Sequence, residues 1–386
     1  MMGELALRYP PNSLLVSTGT YEGSAASDAR FPQTIDRVGI RATRLRTLNG
    51  LALWTWRAAA LAGRHQPGFV WCSELKPAGY PARGLSVRYH LPVGIFLHGT
   101  ELLLLDAKAR ASVFKRATSR MLCRHAATMI ANSRWTADLA RQLLESLGLP
   151  EVAARVRVVH LGTEPSHFRP GLDTAAVRRR YGIEGGPWLL TVARLEWHKG
   201  IDTMIRALPA VRAVHPGARY LVAGAGDRRA DLERIVAETR VGDAVRFLGA
   251  VSDEDLPAIY NCADLYVGPS RRHDLLAEGF GISLVEASAS GLAVVGGRSA
   301  GVPDAVREGE TGILVDSEDP AAVAAGVNEL LGDPDRRARL GAAGRRAVET
   351  YYNWDRFARD VRDIETEIRS SVRPQQPLAA PARGAR

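Results

Sequence analysis

The chain has 386 residues, 46% hydrophobic and 24% charged, which excludes a largely disordered protein and allows two domains of ordinary size. Its formal charge of +9 favours acidic partners such as phosphates, anionic lipid or nucleic acid, and says nothing of fold. Cys72, Cys123 and Cys262 are odd in number, scattered and without a CxxC pair, so neither a disulfide framework nor a zinc site is indicated.

The thiols read as reduced and the expected location is cytoplasmic. The opening "MMGELALRYPP" lacks the long apolar region of a signal peptide. No apolar run reaches the ~18–20 residues that a spanning helix needs. Short apolar runs at 13–18, 68–73, 93–98 and 127–132 read as buried strands, with helical stretches at 51–64 and 107–125 between them. The cycle restarts with strands at 156–162, 187–193, 219–226, 245–250, 263–270, 292–297 and 312–316.

Strands alternating with helices predict parallel sheets covered on both faces, and two such sets predict two doubly wound domains across a cleft. The break is expected near 165–185, where "GTEPSHFRPGLDT" supplies Gly, Pro and polar residues. Residues 1–165 then form the first domain and 166–350 the second. A last helix, 351–368, crosses back to the first domain, and 369–386 is expected as a disordered tail.

The span from Ala107 to Ala137 contains no acid but holds Lys108, Arg110, Lys115, Arg116, Arg120, Arg124 and Arg134. A solvated helix face explains it; docking on an anionic membrane surface also fits. Phe114 and Trp135 are its only aromatics, too few for the interleaving expected of nucleic-acid binding, so no nucleic-acid partner is expected.

The chemistry gathers in the second half. In "EGFGISLVE", Glu278 and Glu286 flank two glycines and a short apolar run. The segment follows a strand, so its loop opens at the strand's carboxyl end, where ligands of parallel sheets bind. A helix begins here, and its free N–H groups favour phosphate. Glu286, about one turn in, suits adjacent hydroxyls such as those of a ribose. A capped helix with solvated acids explains the same pattern. "TVARLEWHKG" tips the balance. Arg194 and Lys199 follow another strand and face the same cleft, where two cations can neutralise a diphosphate. "AGAGD" (223–227) is too short a signal for a dinucleotide cofactor.

On these segments, with "GIFLHGTEL", "ANSRWT", "VVHLGTEPSHFRP" and "FLGAVSDEDLPAIYNCADLYVGPS", the chain resembles the retaining, nucleotide-sugar-dependent glycosyltransferases of family four. Its wording is most similar to the phosphatidylinositol mannosyltransferase branch. The resemblance implies the GT-B fold: α/β, with two doubly wound Rossmann-like domains facing a cleft. It implies transfer of a hexose from a nucleotide diphosphate sugar, GDP-mannose or a UDP-hexose, to a small polyol or lipid-linked acceptor. It implies no cofactor and no metal requirement. The strings Asp253–Asp255 and Asp333–Asp335 open helical stretches, where Asp is a common cap.

The implied catalytic group comprises Glu278 at the donor sugar, His98 beneath it from the opposite domain, and Arg194 and Lys199 on the leaving diphosphate. The implied donor contacts are main-chain N–H groups of Phe280, Gly281, Ile282 and Ser283, backbone near Val251 at the base, and Glu286 at the ribose. One departure stands out. The family's opening strand, Gly-Gly loop and long helix are not recognisable, so the first domain is expected to lack its first strand and helix. That keeps a second reading open: a nucleotide-sugar binder without turnover.

Overall fold

The computed structural model describes residues 1–371. Twelve strands form three parallel sheets. The strands of the second half are β7 (Trp188–Val192), β8 (Arg219–Ala223), β9 (Val245–Gly249), β10 (Leu265–Gly268), β11 (Val294–Gly297) and β12 (Gly312–Val315), ordered β12-β11-β10-β7-β8-β9. The chain leaves β7 toward β8 and β9, then returns to lay β10, β11 and β12 on the other side. The order therefore reverses between β7 and β10, and a crevice opens beyond their carboxyl ends.

The inner strands are mostly apolar and buried because helices cover both faces, with Arg219 at the start of β8 and Thr191 in β7 as polar members. Alternate residues serve opposite layers: Leu189, Val222, Val267 and Val295 enter one core, Leu190, Leu221, Tyr266 and Val294 the other. β9, at an edge, is the exception, with Arg246 exposed.

In the first half, β3 (Val70–Cys72), β4 (Val93–Leu97), β5 (Ala126–Ala131) and β6 (Val156–Val158) pair in that order. β1 (Leu15–Thr20) and β2 (Thr34–Arg41) pair only with each other. The first half is thus split into two sheets. β2 departs from the expected strand set: "TIDRVGIR" carries Asp36 and Arg37 at its centre, so its apolar signal is weak. The expected helix 107–125 is in fact two, Thr100–Ala111 and Val113–Cys123, because Ser112 between them is extended.

The last helix runs Trp354–Ser371 and buries Trp354, Phe357, Ala358, Val361 and Ile364, spaced three and four apart. These meet Phe96 of β4 and Ile130 of β5 in one core with Leu190 and Phe280 of the second half. The chain's beginning is fastened to the same helix: Arg8 pairs with Asp355 at 2.5 Å, and Tyr9 donates to Glu365 at 2.6 Å. Because the helix continues to Ser371, residues 369–371 are not the tail expected; the rest of that tail lies outside the described residues. Among the described residues no helix is long and apolar enough to cross a membrane.

Candidate active site

The loops after β7 and β10 flank the crevice and are tied together. Arg271 N–H donates to the carbonyl of His198 at 2.8 Å. Gly200 turns the first loop at φ 67°, and a Cβ there would collide with the carbonyl of Pro269. Only glycine permits this approach, and it sets Lys199 against the second loop. Lys199 Nζ lies 2.5 Å from Glu278 Oε2, with the side chains 15% and 18% exposed. Ser270 Oγ adds a longer contact to the same oxygen at 3.5 Å.

Arg194, on the same loop, is 74% exposed and pairs with Glu196 at 2.7 Å. The other Glu196 oxygen lies 3.2 Å from His198 Nδ1. Burial, then the neighbouring Lys199, lowers the pKa of His198. The "AGAGD" turn supports this loop, since Leu195 N–H donates to the Ala225 carbonyl at 3.0 Å.

The helix Ile282–Ala289 starts at the crevice, with Gly281 as its N-cap at φ 100°. The third N–H of the helix, that of Leu284, donates to the Gly281 carbonyl at 3.1 Å, and the start of a helix favours anions. Glu286 lies further along the helix. Tyr260 Oη donates to its carboxylate at 2.7 Å. Tyr266 Oη donates to Ser283 Oγ at 2.8 Å and contacts the Val192 carbonyl at 3.3 Å, which joins this helix to the end of β7 two residues before Arg194. Burial pushes the Glu286 carboxyl up to about 7, against the Tyr260 hydrogen bond. Val251 lies just beyond β9 and packs on the core shared with Tyr260 and Tyr266.

His98 follows β4 and enters from the other half. Its Nε2 lies 2.8 Å from the Ser73 carbonyl, and its N–H donates to Glu101 at 2.5 Å. A Cβ at Gly279 would collide with the His98 carbonyl, so the halves meet backbone to backbone beside Glu278. Thr100 Oγ1 strengthens the seam through the Ala277 carbonyl at 3.1 Å. Further along it, Arg134 pairs with buried Asp304 at 2.6 Å, and His160 stacks on Phe280 at 5.8 Å. Asp333 caps its helix as expected, whereas Asp255 instead bonds Arg180 and Tyr181.

The structure thus gathers Arg194, Lys199, Glu278, Phe280–Ser283 and Glu286 around the β7–β10 crevice and brings His98 to its wall. Residues missed in the sequence are Glu196, His198, Tyr260, Tyr266 and Arg271. Glu196 and His198 both lie between the singled-out cations within one motif, which is a usable signal; the tyrosines carry none.

Two family models match this architecture half by half. The one for Glycosyltransferase Family 4 matches residues 14–167, and the one for glycosyl transferases group 1 matches 173–347. The chain belongs to the family-four glycosyltransferases.

Within that family, a GDP-mannose-dependent alpha-(1-6)-phosphatidylinositol monomannoside mannosyltransferase of Mycobacterium tuberculosis is 37% identical over 217 residues, 55% of this chain and 56% of that protein. A D-inositol 3-phosphate glycosyltransferase of Acidothermus cellulolyticus is 36% identical over 262 residues, 64% of this chain and 56% of that protein. The chain spans about half the length of the curated relatives it matches. Anabaena HepE, solved with UDP-glucose, superposes with a TM-score of 0.75 at 18% identity, covering 95% of this chain and 94% of that one. That likeness establishes the GT-B fold.

Proposed function

We propose that this family-four glycosyltransferase moves a hexose from a nucleoside diphosphate to a hydroxyl acceptor with retention of anomeric configuration. The observation that carries the reading is the pairing of Lys199 with Glu278 across the β7–β10 crevice. It supports the reading because a cation suited to a diphosphate and an acid suited to sugar hydroxyls lie within one small molecule's reach. GDP-mannose is the first candidate donor and UDP-glucose the second. The names of both relatives contain an inositol, which favours a polyol acceptor, free or lipid-linked.

In the proposed step the C1–O bond to the diphosphate breaks as the acceptor oxygen bonds C1 on the same face. The acceptor's proton passes to the departing phosphate oxygen. Arg194, Lys199 and the N–H groups of Phe280–Ser283 neutralise the charge that builds there, and one such preorganised donor typically contributes ~3–4 kcal/mol. With that charge met by protein, the step needs no metal. Glu278 and His98 position the sugar, Glu286 holds the ribose, and backbone at Val251 reads the base.

A thermal-shift screen against GDP-mannose, UDP-glucose, UDP-GlcNAc and their nucleotides tests the donor. A ligand at about 100 times its dissociation constant adds about 2.7 kcal/mol. Transfer to inositol acceptors, assayed with and without EDTA and with Glu278→Ala, tests the reaction. Stabilisation by a donor without turnover in the wild type would make the protein a binder instead; no stabilisation by any of them would sink the reading.

A further inference from the structure

The helix Pro334–Thr350 carries five arginines, and three of them are engaged. Arg336 pairs with Glu329, Arg337 donates to the Leu330 carbonyl at 3.1 Å, and Arg345 donates to Glu349 at 2.7 Å and to the Ala289 carbonyl at 2.8 Å. Arg339 and Arg346 are exposed, and among the described residues neither guanidinium has an ion pair or a hydrogen bond.

These two free arginines border one groove. Its volume is about 500 Å³, within the range of small-molecule sites. Arg336, Arg339, Ala343 and Arg346 follow one another at spacings of three and four, so they share one face of the helix. Ala342 and Ala343 leave the floor low between the longer side chains. The turn Gly309–Glu310 supplies the facing wall, held where Gly309 N–H donates to the Gly312 carbonyl at 2.8 Å. The far side of the helix is fixed as well, since a Cβ at Gly341 would collide with the Gly291 carbonyl.

The charge of the groove is unbalanced. Glu310, the one acid in its lining, pairs with Arg307 at 3.0 Å, and Arg336 is offset by Glu329. Arg339 and Arg346 remain, seven residues or about 10 Å of helix apart. Each guanidinium fork matches a pair of phosphate oxygens. Two forks at that spacing suit a molecule with an anionic group at each end better than one compact ion. No aromatic side chain lines the groove, so stacked bases find no platform there. The groove is also remote from the crevice. Gly309 and Glu310 precede β12, at the amino end of the parallel sheet whose carboxyl ends lead into the loops of Lys199 and Glu278.

We propose that this groove is a second ligand site, which takes a small sugar bisphosphate, with Arg339 holding one phosphate and Arg346 the other. The transfer reading and this one stand independently, because they concern opposite ends of the sheet.

The test is calorimetry on the full chain with fructose bisphosphate, phosphorylated at both ends, and with fructose monophosphate, in the absence of donor and acceptor. The wild type should bind the bisphosphate at least about tenfold more tightly than the monophosphate. Arg339→Ala and Arg346→Ala should each weaken bisphosphate binding about tenfold or more. The double lysine variant, Arg339→Lys with Arg346→Lys, should bind more tightly than the double alanine one, because a point charge remains at each end. All of these should melt as the wild type does, since both side chains are exposed. Arg206, exposed and outside the groove, is the comparator: Arg206→Ala and Lys199→Ala should both bind the bisphosphate normally. No measurable binding of the bisphosphate, equal affinity for the two sugars, undiminished binding by the double alanine variant, or loss in Lys199→Ala instead would each overturn the proposal.

Discussion

Lys199 and Glu278 come from loops 79 residues apart and meet with Nζ 2.5 Å from Oε2. The acid accepts from the cation and partly neutralises it. The carboxylate takes one of the three Lys199 donors and offsets its charge, so an entering diphosphate competes with it.

Glu278→Gln removes that competitor while keeping the shape of the side chain. GDP or UDP should bind about tenfold more tightly, a change of roughly 1.4 kcal/mol, and transfer should fall at least about 100-fold. Lys199→Ala should lose both. Calorimetry on the nucleotides and initial-rate assays separate the two effects; weaker nucleotide binding by Glu278→Gln would refute the competition.

Burial raises Glu286 from 4.5 to about 7. A carboxyl raised on folding contributes stability that is fully present below about pH 4.5 and is lost as pH rises through about 7. A shift of that size corresponds to about 3 kcal/mol. Glu286→Gln should flatten the melting temperature across this window. If ribose hydroxyls donate to the carboxylate, nucleotide affinity in the wild type should rise with pH through about 7, with proton release visible as a buffer-dependent binding enthalpy. A profile identical in wild type and variant would remove Glu286 from the ribose.

Gly279→Ala places a methyl group against the His98 carbonyl, where the halves touch. Overpacking of this kind costs about 1–3 kcal/mol, and here it also shifts the loop bearing Glu278. Transfer should fall more than about tenfold. Gly332, with open space around its position, supplies the control: Gly332→Ala should transfer at the wild-type rate. Full activity in Gly279→Ala would mean that the seam does not set the site's geometry.

Glu365 on the last helix accepts from Tyr9 Oη at 2.6 Å and from Trp71 Nε1 at 3.1 Å. Glu365→Ala strands both donors, and each unsatisfied one costs about 1–3 kcal/mol. Urea unfolding should show a loss of about 2–6 kcal/mol, with the Glu286 pH response unchanged. A loss below about 1 kcal/mol would show that water replaces the acid at both donors.

The strands of the second half were legible because both faces of that sheet are covered, so each strand reads as a continuous apolar run. The site's loops were legible because cations, glycines and acids follow directly on those strands. β2 was hidden by Asp36, which pairs with Arg57 across the first half. The break at Ser112 was hidden because neither Gly nor Pro marks it. Tyr260 lies 26 residues from the Glu286 it serves. Such partners are chosen by the fold, and no local pattern announces them.

The link from Arg8 to Asp355, with that from Tyr9 to Glu365, makes neighbours of the first residues and the final helix. Besides the seam at Gly279, the two halves are consequently joined at two further places, by covalent chain near 165–185 and by noncovalent contacts of the first residues with the last helix, as in a ring with a clasp. Nicking the covalent side by a protease should leave the fragments travelling together on a sizing column until the clasp is opened.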